Sequence, residues 1–122
     1  MRYVIKEQEC GYLLKNGVLV KLLFAGTYNF FDWMGYELKT VTMLGQVDTR
    51  ELPVELLMKH PEFASRVVRV QIPDECIGMH MVNGAYKQVL MGGEALYWNV
   101  YETNEIRLLD VTGTLITETQ VP

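Results

Sequence analysis

Apolar and polar residues alternate with a period of two along most of the chain, and small clusters containing Gly, Pro or Asn interrupt the alternation. That is the pattern of strands joined by tight turns. Tyr3-Val4-Ile5 is a short apolar run ending in Lys6-Glu7-Gln8-Glu9, a strand followed by a turn. Two β-prone runs, Gly11 to Lys15 and Val18 to Leu23, flank Asn16-Gly17. An Asn-Gly pair in that setting predicts a hairpin, because a type I′ turn needs positive φ at both central residues. Ala25-Gly26 predicts a second reversal, Thr27 to Phe31 a third strand, and Asp32 to Gly35 a turn. Tyr36 to Leu44 reads as a longer strand, with Leu38 alternating with Lys39 and Val41 with Thr42, so one face is wet. Gly45 ends it.

The next stretch has a different pattern. Pro53 stands where a first helical position would be, Glu51 and Glu55 lie near the start, and Lys59 and His60 lie at the end. These placements suit a helix and its dipole. Pro61 stops that helix and opens a second short one towards Arg66.

Strand signals then return in the same order. Residues 5–32 align without a gap on residues 72–99. Ile5 falls on Ile72, Gly11 on Gly78, Asn16-Gly17 on Asn83-Gly84, Leu23 on Leu90, Gly26 on Gly93, and Phe30-Phe31 on Tyr97-Trp98. In the second copy Pro73-Asp74-Glu75 reads as a turn and Gly92-Gly93 as a reversal. One extra residue then brings Glu105 onto Glu37 and Arg107 onto Lys39. The chain is thus read as a single β domain: repeat one 3–47, a helical connector 48–66, repeat two 67–114 and a tail 115–122. Leu115-Ile116 offers one more strand. Gly11, Asn16, Gly17, Gly26, Gly78, Asn83, Gly84 and Gly93 are its structural turn residues. Two copies are too few for a solenoid. The fold class is therefore mainly β, a pseudo-two-fold small barrel or sandwich with one or two short helices in the connector.

Composition narrows the class further. The 122 residues are 49% apolar and 21% charged, an ordinary globular balance. The formal charge of −4 provides no basic face for phosphates, which argues against nucleic acid. Cys10 and Cys76 form no Cys-x-x-Cys pair and read as buried small hydrophobes, one residue apart in repeat register. Met1-Arg2-Tyr3 leads into an alternating segment with Lys6, Glu7 and Glu9, unlike a secretory signal. The apolar window from Leu22 to Phe31 is about half of the roughly 20 residues a spanning helix needs. These features predict a cytoplasmic chain.

No catalytic, cofactor or metal constellation emerges. Met79-His80-Met81 offers soft ligands for copper(I), but on a strand the two thioethers share one face and His80 takes the other. His60 is explained by the helix end it follows. Ser65 is the only serine and lacks a nucleophile context. The turn carboxylates Glu7, Glu9, Asp74 and Glu75 come from equivalent turns and read as solvated. The aromatics are more informative. Strand alternation pushes one member of Phe30-Phe31 and one of Tyr97-Trp98 outward, unless both faces of the sheet are covered. With Trp33 and Tyr101 they form a candidate interaction surface.

Glu9-Cys10-Gly11 with Asn16-Gly17, Leu22-Leu23 and Gly26, repeated as Glu75-Cys76-Ile77-Gly78 with Asn83-Gly84, Val89-Leu90 and Gly93, resembles the β-strand repeat near the start of stomatin-like proteins of the bacterial slipin type. The resemblance implies a non-enzymatic scaffold that makes protein–protein contacts, including with itself as a homo-oligomer. It would work at the cytoplasmic face of a membrane, attached through segments outside this chain or through a partner. The alternative is a small-ligand or enzymatic domain with a cleft between the repeats, drawing on Glu9, Glu75, His80 or His60.

Overall fold

The two Asn-Gly turns set the frame. In the computed structural model, which describes residues 2–29, 35–110 and 115–117, Asn16 and Asn83 both have φ of +51° and Gly17 and Gly84 both have +82°. These are the left-handed conformations of a type I′ turn, which only Asn, Asp and Gly adopt readily. The strands are β1 (Arg2–Ile5), β2 (Glu9–Lys15), β3 (Val18–Leu23), β4 (Gly26–Asn29) and β5 (Tyr36–Thr42), then β6 (Val67–Val82), β7 (Ala85–Trp98), β8 (Asn104–Asp110) and β9 (Leu115–Thr117). Helices α1 (Val54–Met58) and α2 (Pro61–Ala64) lie between β5 and β6. The protein is mainly β with two short helices. All strand pairing is antiparallel, and among the described residues no sheet closes into a barrel.

Two compact units correspond closely to the repeats. The first comprises Met1–Met43 and Thr49–Ala64, the second Leu44–Asp48 and Ser65–Pro122. In the first, β1 pairs with β4, and β3, β2 and β5 form a three-stranded sheet in that order. In the second, the order is β7-β6-β8-β9.

The hydrogen-bond register shows that the repeat is structural. Ile5 faces Gly26 and Ile72 faces Gly93; Gly11 faces Leu23 and Gly78 faces Leu90. The irregularity between Leu13 and Leu14 recurs between His80 and Met81. The third strand carries the one-residue insertion, with Tyr12 opposite Lys39 and Met79 opposite Arg107. Even the turn anchor recurs, as Asn16 N–H donates to the Gly35 carbonyl and Asn83 N–H to the Thr103 carbonyl, both at 2.8 Å.

Several sequence assignments change. Pro73-Asp74-Glu75 and Gly92-Gly93 do not reverse the chain, because β6 and β7 run straight through them. Pairing passes from Ile72–Gly93 to Ile77–Met91, so a four-residue bulge on β6 faces Gly92 alone. Pro73 has no N–H to give to a ladder, and a bulge is where a strand tolerates it. Gly93 is therefore a strand residue with φ of +91°, and Gly26 opens β4.

Gly11 and Gly78 are not turn residues either; they sit inside β2 and β6. What they supply is space. A Cβ on Gly11 would lie 2.6 Å from Ile5 Cδ1 and 2.9 Å from Leu38 Cδ1. On Gly78 it would lie 2.9 Å from both Ile72 Cδ1 and Ile106 Cγ2. Each isoleucine folds over the equivalent glycine into the equivalent core.

Those cores are Ile5, Leu13 and Leu23 in the first unit and Val68, Val70, Ile72, Cys76, Ala95, Tyr97 and Ile106 in the second. Both cysteines are free and buried, but the register makes Ile77 the counterpart of Cys10 and Glu9 that of Cys76. They face opposite sides of their sheets and do not play equivalent packing roles.

The helices are shorter than the sequence pattern suggests. Pro53 caps α1 in an extended conformation (φ −59°, ψ 144°) and does not enter it. The His60 carbonyl accepts N–H bonds from Phe63 and Ala64, which starts α2 at once. Leu57 and Phe63 are fully buried.

Candidate functional site

The second unit departs from the first in two places, one on each face of its sheet. On the inner face, His80 is fully buried at the position that Leu13 fills in the first core. It brings a polar group into the interior, and burial demands partners for it. Asn104, the counterpart of Tyr36, supplies the first: Asn104 Nδ2 donates to the Trp98 carbonyl at 2.7 Å, which leaves its Oδ1 to accept from His80 Nε2–H at 2.7 Å. That fixes the tautomer, so His80 Nδ1 accepts from Gln88 Nε2 at 3.1 Å. Gln88 Nε2 also reaches the Tyr97 hydroxyl at 3.5 Å, and the His80 and Tyr97 rings pack 4.3 Å apart. Burial raises the Tyr97 pKa above the usual phenol range.

With both ring nitrogens bonded inside the protein, His80 has none to offer a metal. Met79 and Met81 point away on the other face, so no Met-His-Met site exists. A groove of about 220 Å³ opens beside the network, with Ile72, Gln88, Leu90, Glu94, Ala95 and Tyr97 among its lining residues. Among the described residues no three His, Cys, Asp or Glu side chains gather as metal ligands.

The outer face is the second departure. Register places Ile77 beside Met91 and Leu109, Met79 beside Val89 and Arg107, and Met81 beside Tyr86 and Glu105. Directly opposed residues point to the same side of a sheet, so these form one apolar surface crossed by an ion pair. Arg107 Nε donates to Glu105 at 3.0 Å and Nη2 at 3.3 Å. Met91 is 72% exposed, Tyr86 58% and Val89 44%, while Ile77, Met79, Met81 and Leu109 are half-buried. The equivalent face of the first sheet is equally apolar, but Cys10, Tyr12, Leu14 and Leu22 on it are all buried.

The edge of β7 is partly occupied. The Leu96 carbonyl accepts from Val47 N–H, and Trp98 N–H donates to the Gly45 carbonyl, both at 3.0 Å. This covers the end of β7, and among the described residues no strand neighbours its Ala85-to-Glu94 edge.

The aromatic surface is redrawn. Tyr97 and Trp98 are 7% and 2% exposed, because the four successive residues Ala95 to Trp98 are covered on both faces. Tyr101 is 41% exposed. Phe30, Phe31 and Trp33 lie outside the described residues. His60 and Glu9 belong to the first unit, where their backbones close turns, the Glu9 side chain accepting from Lys6 N–H at 3.0 Å. Asp74 and Glu75 lie on the β6 bulge, exposed.

Gln88, Asn104 and the outer face were not singled out by the sequence pattern. The aligned copies carry the first signal, since Leu13 and Tyr36 become His80 and Asn104. Among the described residues no helix is long and apolar enough to cross a membrane. No family model, curated protein or solved structure matches the chain.

Proposed function

We propose that this chain is a non-enzymatic protein-interaction module that docks a partner on the outer face of its second sheet. The observation that carries this reading is the contrast between equivalent faces. Tyr12, Leu14 and Leu22 are buried, whereas their counterparts Met79 and Met81 are half-buried and Val89 is exposed, with Tyr86 and Met91 exposed beside them. A contiguous exposed apolar face marks an interaction site. Methionines suit such a site because their flexible, polarisable side chains adapt to a partner. The resemblance to stomatin-like repeats is consistent with a scaffold of this kind, held at a cytoplasmic membrane face by other segments or by the partner. The test places a photo-crosslinking amino acid at Met91, with the exposed Lys59 as control, in cells that express the chain, which are then irradiated. A discrete crosslinked product from position 91 alone is expected. No product from either position, or the same products from both, would remove the proposal's support.

A further inference from the structure

The edge of β7 shows what it can accept, because part of it is already taken. Gln46 pairs antiparallel with Tyr97, Val47 N–H donating to the Leu96 carbonyl and Trp98 N–H to the Gly45 carbonyl, both at 3.0 Å. Gly45 to Val47 thus act as a short added strand within the second unit. The Leu96 carbonyl and the Trp98 N–H therefore point away from β6. Backbone groups alternate in direction along a strand, and β6–β7 pairing is unbroken from Trp98 back to Gly93. Glu94 accordingly turns its N–H and carbonyl outward as well, beyond the point where pairing with Gly45 to Val47 stops.

Past that point the edge is open. From Ala85 to Glu94 every residue is exposed except Gln88 and Leu90, which are half-buried. The groove of about 220 Å³ adjoins this stretch. It is lined by Gln46 from the added strand, by Leu90, Gly92 and Glu94 from the edge itself, and by apolar Ile72 and Ala95. The charge beside it is negative. Asp74 Oδ1 lies 3.8 Å from where a Cβ on Gly92 would sit. Glu94 already accepts from Arg69 at 2.7 Å, which leaves the exposed Asp74 for an incoming cation.

We propose that the open edge of β7 binds an extended segment of a partner protein. The segment adds a strand beside Gly92 to Glu94, lays one apolar side chain in the groove and sets a Lys or Arg against Asp74. In strand addition the main-chain bonds give affinity and a side-chain pocket gives selectivity; Gly45 to Val47 are the chain's own example of the pairing. A second copy of the chain fits this edge less well. Lys87 and the β6 bulge facing Gly92 interrupt the free run, and such features discourage edge-to-edge pairing of long strands. The contact is separate from outer-face docking and does not rest on it.

The probe is a phage library of linear peptides about seven residues long, close to the usual strand length, selected on the whole chain. Recovered peptides are synthesised and titrated by fluorescence polarisation. Saturable binding is expected from peptides that carry an apolar residue and a Lys or Arg. N-methylation of successive peptide nitrogens should weaken it at least about tenfold at every second position and no more than about threefold at the others, because only alternate N–H groups face β7. Glu94→Pro removes an N–H that β6 does not use, a change an edge strand tolerates. It should weaken binding at least about tenfold with circular dichroism unchanged. Asp74→Lys, exposed on the bulge, should weaken it at least about fivefold. Tyr86→Asp, on the outer face, should leave it within about twofold. No saturable binding up to about 1 mM, N-methyl effects without alternation, or full affinity in both Glu94→Pro and Asp74→Lys would overturn the proposal. So would binding that Tyr86→Asp abolishes and Asp74→Lys spares; outer-face docking would then stand and strand addition fall.

Discussion

At the scale of single residues, His80 is the clearest test of what holds the second core together. Its counterpart is Leu13, and a volume argument makes His80→Leu harmless. The network argues otherwise. The substitution strands Asn104 Oδ1 in a buried setting and takes one partner from the half-buried Gln88 Nε2, and an abandoned buried polar group costs about 1–3 kcal/mol. Urea denaturation of His80→Leu should show a loss in that range. Tyr97 adds a pH dependence. Burial raises its pKa in the folded chain, so the unfolded chain loses the phenol proton first. Stability is therefore full below about pH 10, the usual phenol value, and falls as pH rises through the folded value. Tyr97→Phe should flatten that alkaline decline in thermal melts. Cys76 is shifted the same way, by burial and then by the Glu75 and Asp110 carboxylates, so its thiol should react slowly with disulfide reagents at pH 8 until the protein unfolds.

At the scale of elements, Gly78 and Ile72 show how the repeat is built. The bulge at Pro73 to Cys76 lets Ile72 lie over Gly78, and a methyl group there collides with Ile72 and Ile106. Gly78→Ala should lower stability by about 1–3 kcal/mol, the usual cost of overpacking a core, as measured by urea midpoint. The hairpins were legible in the sequence because Asn-Gly and flanking β-prone runs encode a local geometry. The one-residue insertion before β8 was legible as well, from Glu105 and Arg107. The continuity of β6 and β7 was not. Pro73 and Gly92-Gly93 signal broken ladders, and only long-range pairing decides whether a break bends the strand or turns it. The faces were hidden for a related reason. The irregularity at His80-Met81 shifts alternation by one, so the inner placement of Gln88 and the outer placement of Tyr86 follow from a register that local pattern does not reveal. Tyr97 and Trp98 defeat the alternation rule because β7 ends with both faces covered.

At the scale of the molecule, duplication has kept the backbone plan and changed what the faces carry. The positive φ values at the turns, the glycines under isoleucines and the strand registers are shared. The inner polar network and the open methionine surface belong to the second repeat. A structural repeat needs only the shared part, and the exposure of the apolar face in the second unit is what the proposed docking role adds. That face can be observed directly through its own methionines. With ¹³C-methyl-labelled methionine in the chain, titrated with the partner captured through position 91, the Met79, Met81 and Met91 signals should shift together with partner concentration while Met43 and Met58 stay in place. Shifts confined to Met43 and Met58, or no shift at any methionine, would contradict outer-face docking.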